Sequence, residues 1–157
     1  MRSIQILLLL LVAGGAQATR PLMDRIVVDG VEGEIIPARC CWMPLPPSLA
    51  LAEARLAQQC SAIGGPVGRF ALVDGRLWLE GLATCGGPLP LQQIYPELGE
   101  RVPADWLDGE ATVSLPPWCD DAEGRQVPQR QWRLQLVAGK VVSMHLQDTG
   151  ARCAAVE

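Results

Sequence analysis

Two cysteines stand side by side at Cys40 and Cys41, inside the stretch PARCCWMPLPP (residues 37–47), and four more follow at Cys60, Cys85, Cys119 and Cys153. No other feature limits the fold of this chain as strongly. Held as disulfides, these thiols cross-link distant segments; held as metal ligands or a redox pair, they converge on one site. A thioredoxin-like redox site needs C-x-x-C, which does not occur. Zinc sites need paired C-x₂₋₄-C or several histidines, and His145 is the sole histidine. The beginning of the chain favours disulfides. Arg2 precedes an unbroken apolar run, Ile6 to Val12, and then Ala16-Gln17-Ala18. This is the layout of a secretory signal peptide, too short to span a bilayer, with cleavage expected after Ala18. No cysteine directly follows the apolar run, which argues against a lipid anchor at the vicinal pair. Six cysteines in an exported chain read as three structural disulfides.

Six cysteines allow 15 connectivities. Neighbours in an extended segment point to opposite sides, so Cys40 and Cys41 are expected to reach different partners rather than each other. The favoured scheme bonds one of them to Cys60, the other to Cys85, and Cys119 to Cys153. Each such loop is worth about 3 to 4 kcal/mol in the chain-entropy model.

Removal of residues 1–18 leaves 19–157 as a single domain with a core of its own. The net charge is −4, and Arg2 leaves with the leader. Without a basic run, nucleic acid and anionic membrane surfaces are poor partners. No second apolar segment is long enough for a membrane span. Arginine outnumbers lysine twelve to one, Lys140 being the exception. Together with abundant Ala, Gly, Leu and Pro, this usage points to a GC-rich bacterial genome.

The local patterns are mostly those of strands. DRIVVDGVEGEII (residues 24–36) holds two short β-branched runs around Gly30 and Gly33 and reads as a hairpin, or as one strand and a turn. The prolines at 44, 46 and 47 stop regular structure. Ser48 can then cap a helix to about Cys60, with Leu49, Ala52, Leu56 and Cys60 as its apolar stripe. RFALVDGRLWLEGL (residues 69–82) predicts a hairpin with a two-residue type I′ turn at Asp74-Gly75. Leu77 and Leu79 should then face away from Trp78. One helical turn is expected at Leu91–Tyr95 and another at Pro103–Leu107. Glu110–Leu115 reads as a strand halted by Pro116-Pro117, with a polar loop from Asp120 to Gln129. QWRLQLVAGKVVSMHLQ (residues 131–147) predicts a hairpin around Gly139-Lys140. Trp132, Leu134 and Leu136 share one of its faces, and Val142, Met144 and Leu146 form a second run of the same kind. The expected fold is α+β: a meander of antiparallel hairpins, one covering helix and disulfide staples. A small all-β barrel or sandwich is the alternative.

The segments DGRLWLEGL, IYPEL, ADWLDGEATV and VAGKVV together resemble a pattern found in small bacterial proteins of uncharacterised activity. In that pattern a D-G-R-L-aromatic-L strand precedes a short segment, an A-D-W-aromatic-x-G turn and a last hairpin. The resemblance covers residues 69–142. Leu107 stands where the pattern has an aromatic, and the cysteine-rich N-terminal part lies outside it. The resemblance implies the meander and carries no activity.

Candidate chemistry is sparse. Ser143 and His145 share a strand face, but no G-x-S-x-G turn or third orienting group accompanies them. Asp120, Asp121 and Glu123 lack the spacing of a calcium loop. Asp105 and Asp108 flank Trp106 at a spacing that puts two carboxylates on one side of a helical turn, as a glycosidase requires. Gly64-Gly65 and Gly86-Gly87 lack the phosphate-loop motifs. No catalytic, cofactor-binding or metal-binding set is therefore assigned, and no cofactor is expected. Five tryptophans against one Phe and one Tyr is an unusual balance, and Trp78, Trp106 and Trp118 are the candidate interaction surface. These features point to an exported, non-catalytic binding protein of the bacterial envelope, periplasmic or secreted. Its expected partner is another protein, as for an inhibitor or a toxin-neutralising protein. A small glycan hydrolase and a structural accessory of the envelope are the competing classes.

Overall fold

In the computed structural model, residues 21–39, 41–57 and 65–153 are described. Three of the expected hairpins are present, each closed by a two-residue turn with both central residues at positive φ. Asp29-Gly30 joins β1 (Arg25–Val28) to β2 (Val31–Pro37), and Asp74-Gly75 joins β3 (Val67–Val73) to β4 (Arg76–Thr84). The third hairpin joins β8 (Gln126–Val137) to β9 (Lys140–Gln147) through Ala138-Gly139, one residue earlier than the sequence suggests. Turns of this type match the twist of the strands they connect, and they tolerate Asp and Gly at positive φ.

The remaining strands are β5 (Gly87–Leu89), β6 (Val102–Pro103) and β7 (Gly109–Asp120). All nine belong to one sheet, ordered β3-β1-β2-β7-β8-β9-β4-β5, and β3 also pairs with β4. Seven strands thus form a closed circuit. The architecture is mainly antiparallel β, as expected, but the sheet curls onto itself instead of lying under a helix. The barrel alternative describes it better than the covered meander. The one parallel pair is β1–β3. Parallel neighbours need a long connection, and the segment from 38 to 66, which contains α1 (Leu49–Ala57), supplies it.

Alternation along the strands fills the interior. Ile26, Ile35, Phe70, Leu77, Leu79, Leu134 and Leu136 are all essentially buried, with Val113 and Leu115 beside them. A fully buried Leu or Phe side chain contributes roughly 1.5–3 kcal/mol relative to leaving it in water. The tight packing extends to backbone. A Cβ at Gly33 would lie 2.3 Å from the Ser114 carbonyl oxygen, so only glycine lets β2 and β7 meet there.

Four local expectations are corrected. Ser48 does cap α1, accepting the Leu51 N–H at 3.0 Å, but the buried face carries Leu51 with Ala54 half-buried, not the Leu49–Ala52–Leu56 stripe. Leu49 and Leu56 are 77% and 87% exposed. The helix is held mainly at its start. The Ser48 hydroxyl donates to the Ile94 carbonyl of α2 (Leu91–Ile94), and the Tyr95 hydroxyl donates to the Pro46 carbonyl at 2.7 Å. That docking, rather than apolar spacing, sets its rotation. Pro103–Leu107 makes the short strand β6 and a turn closed by Leu107 N–H to Ala104 C=O, not a helical turn. Pro116-Pro117 does not halt β7. Two successive residues without N–H groups cannot donate to the ladder, and the β7–β8 register breaks after Leu115 and resumes at Trp118 opposite Pro128. The polar loop is therefore short, because β8 already starts at Gln126. Lastly, Val142, Met144 and Leu146 are exposed and do not complete a buried face.

Cys119 and Cys153 are bonded, as expected, with Cα atoms 4.9 Å apart. The bond fastens the C-terminal tail beside β7, where Arg152 N–H donates to Asp120 C=O. Cys41 and Cys85 are also disulfide-bonded. The scheme proposed for Cys40, Cys41, Cys60 and Cys85 depends on residues outside the described ones.

Candidate functional site

The outer face of β4 carries Arg76, Trp78 and Glu80, while Leu77 and Leu79 point into the core. One edge of this strand is served by three neighbours in turn: β9 at Arg76, β6 at Trp78 and Leu79, and β5 from Leu82. The segments of β6 and β9 bring side chains to the outer face. β6 ends its approach with Arg101, whose guanidinium lies 4.5 Å from the centre of the Trp78 ring and 3.3 Å from the Glu80 carboxylate. β9 begins with Lys140, directly across the ladder from Arg76. The turn after β6 brings Asp105, which pairs with Arg76 at 3.1 Å.

Gly139 makes this convergence possible. Its N–H donates to Leu107 C=O and its C=O accepts from Leu77 N–H, both at 2.8 Å, while Ala104 N–H donates to Leu77 C=O. The turn holding Asp105 is thereby wedged between β4 and the β8–β9 turn. A Cβ on Gly139 would stand 2.5 Å from the Ala104 carbonyl oxygen. Glycine is required twice over, by the positive φ of 70° and by this contact.

The result is a groove of about 580 Å³ lined by Val73, Asp74, Arg76, Trp78, Arg101 and Lys140, with Val141 at its edge. Two features of it are costly. Like charges directly opposite on neighbouring strands destabilise a sheet, and Arg76 faces Lys140 in that way. The Arg76 Nε is buried with no hydrogen-bond partner among the described residues. A buried donor left unpaired costs roughly 1–3 kcal/mol.

A second surface lies on β9. The strand meets β4 only at Lys140, so residues 142–147 pair with β8 on one side and, among the described residues, have no strand on the other. Met144 and Leu146 stand opposite Leu134 and Trp132, on the core-facing side of the sheet, yet remain 53% and 69% exposed. The sheet runs on here past the β1–β2 and β3–β4 turns. An apolar groove of about 290 Å³ opens between them, lined by Val28, Leu72, Val113, Trp132, Leu134 and Met144 among others.

The residues singled out by sequence are distributed as follows. Trp78 floors the first groove. Trp106 donates its indole N–H to Pro44 C=O at 2.8 Å and packs beside the core, and Trp42 likewise donates to Leu22 C=O. Both pin the proline-rich segment. Trp118 sits on β7 after the proline break. All five tryptophans are half-buried, so the three proposed as one interaction surface occupy three separate elements. Asp105 and Asp108 do not share a helical face. Asp105 binds Arg76, and Asp108 accepts the Ala138 N–H at 2.8 Å. Asp121 is consumed by its own loop. It accepts the N–H groups of Glu123 and Arg125 and the Nε–H of Arg125 at 2.6 Å. The Arg125 N–H, foremost among these, holds its carboxyl below the ordinary value. Asp120 accepts from Gln126. His145 is exposed opposite Arg133, and Ser143 stands opposite Gln135.

One residue escaped sequence reading. Asp24 is fully buried and accepts two backbone N–H groups at 2.5 Å, from Met43 and Gly68. Desolvation outweighs these two hydrogen bonds and pushes its carboxyl up to about 6. It ties the start of β1 to the segment after the vicinal cysteines and to the start of β3. Its partners lie 19 and 44 residues away, so no local pattern could have marked it.

No protein-family model matches this chain, and comparison with curated proteins and with solved structures gives no match.

Proposed function

We propose that this chain is an exported, non-catalytic binding protein of the bacterial cell envelope whose ligand is another protein. The observation that carries the reading is the unpaired β9 edge with its exposed Met144 and Leu146 beside an apolar groove. An open edge offers backbone donors and acceptors in register, and the adjoining groove offers side-chain pockets. Those are the two components of strand addition by a partner. Natural sheets blunt such edges with charge, proline or a bulge; residues 142–147 carry no lysine, acid or proline, and the register shift opposite Gln135 and Leu136 leaves Val142 as a single bulge at the start of this stretch. The Cys119–Cys153 bond supports an oxidising compartment, and with it the signal-peptide reading. An inhibitory or toxin-neutralising role is the finer form of this proposal. The tryptophan surface is kept as a contributor, with Trp78, Trp106 and Trp118 at its separate points. A glycan hydrolase is less favoured because Asp105 and Asp108 are each engaged within the fold.

The test places a photo-crosslinking residue at position 144 or, as control, at the exposed Glu32, in the full chain expressed in its host. A discrete crosslinked protein at 144 that is absent at 32, and is lost with Leu146→Glu, supports the proposal. Equal labelling at both positions, or none at 144, refutes it. Mass spectrometry of the exported chain should give Thr19 as its first residue, and an intact leader would defeat the export part.

A further inference from the structure

We propose that the groove over Trp78 binds a carboxylate, with Lys140 recognising the anion and Trp78 and Val73 bedding an apolar or ring body attached to it. This site lies at the start of β9 and adjoins the apolar groove through the Asp74-Gly75 turn, but its argument does not depend on the protein-partner reading.

The charge inventory of the groove selects the ligand. Three cations surround it: Arg76, Arg101 and Lys140. Two are already matched, Arg76 by Asp105 and Arg101 by Glu80. Lys140 has no ion pair among the described residues. It is the chain's only lysine, and it stands directly opposite Arg76. An anion between the two would convert a like-charge apposition into a bridge. A dianion such as phosphate would also meet Glu80, Asp105 and the rim carboxylate of Asp74, so one negative charge fits better than two. The rest of the groove is not a bare charge site. Trp78 is half-buried with the Arg101 guanidinium over its ring, 4.5 Å from the centre, and Val73 is 39% exposed. A volume of about 580 Å³ admits a body of several carbons or one sugar ring. A carboxylate beside such a body occurs at a peptide C-terminus and in a uronic sugar, and the chemistry presented to Lys140 is the same.

The experiment uses the disulfide-intact full chain and four probes: N-acetyl-Ala-Leu as free acid, the same dipeptide as its amide, glucuronate and inorganic phosphate. Binding is followed by tryptophan fluorescence and by the indole N–H resonances of labelled protein. Saturable binding of the free acid or of glucuronate is expected, moving the Trp78 indole resonance. Free acid alone identifies a peptide end, glucuronate alone a sugar acid, and both a general carboxylate site. The amide should bind about tenfold more weakly than the acid, the scale of one charge-assisted hydrogen bond. Lys140→Gln should weaken the carboxylate by a similar factor, leave the amide unchanged and preserve the unfolding midpoint, and Lys140→Arg should restore binding. No saturable response to either carboxylate overturns the proposal. So does an undiminished affinity in Lys140→Gln, or phosphate binding as tightly as the carboxylate.

Discussion

Replacing Asp24 by asparagine should change how the stability of this protein depends on pH. The carboxylate is fully buried, no cation pairs with it among the described residues, and burial raises it from an ordinary 3.8 to about 6. A carboxyl raised in the folded state binds its proton more tightly there than in the unfolded chain. Well below pH 3.8 both states are protonated and the group imposes no penalty. Between 4 and 6 the unfolded chain releases its proton first, so stability falls as pH rises. Above 6 the full penalty of a buried charge is present. Two units at 1.36 kcal/mol each give about 3 kcal/mol. Asparagine keeps one acceptor for Met43 or Gly68 and turns an NH₂ toward the other amide. That mismatch costs roughly 1–3 kcal/mol at every pH, so its signature is a constant offset. Urea unfolding under non-reducing conditions at pH 4 and pH 7, at fixed ionic strength, separates the two effects. The stability of the wild type minus that of Asp24→Asn should drop by roughly 2–2.5 kcal/mol between those pH values, because the unfolded carboxyl is already about half ionised at pH 4. A pH-independent difference would refute the reasoning. A difference that grows with pH would show the two amides outweighing burial.

Removing the Cys119–Cys153 bond by paired serine substitution should cost about 4 kcal/mol, from its separation of 34 residues, read as a lower urea midpoint. Gly139→Ala should cost roughly 2–4 kcal/mol, because its Cβ meets the Ala104 carbonyl at positive φ. A neutral result would mean that the turn bearing Asp105 can move freely. Asp121, whose carboxyl is lowered, contributes stability above its ordinary 3.8 that is lost as pH falls through its folded value. Asp121→Ala should therefore lower the urea midpoint at pH 7, by an amount that shrinks as pH is taken below 3.8.

The hairpins were legible because their information is local. Asp-Gly at 29–30 and 74–75 admits the positive φ that a tight turn demands, and Leu77 and Leu79 alternate around Trp78 at the two-residue period of a strand. The cap at Ser48 and the Cys119–Cys153 pairing were legible for similar reasons, one from a preferred residue type and the other from the placement of the last two cysteines. The proline break was misread because only the β8 partner shows that a ladder can skip two residues and resume at Trp118. Closure of the sheet was a tertiary decision, since the β3–β1 and β4–β9 pairings join segments that share no pattern along the chain. Exposure of Met144 and Leu146 followed from it. Their alternation is that of buried residues, but β9 runs past the start of β4 at Arg76, where no strand among the described residues covers them. The groove over Trp78 needed three elements to converge, and Asp24 needed a loop and a strand delivered to its carboxylate. Sequence by itself determined where the chain turns and which residues seek the interior. Only the closed sheet decided which of them reached it, because burial and charge pairing depend on neighbours brought from far along the chain.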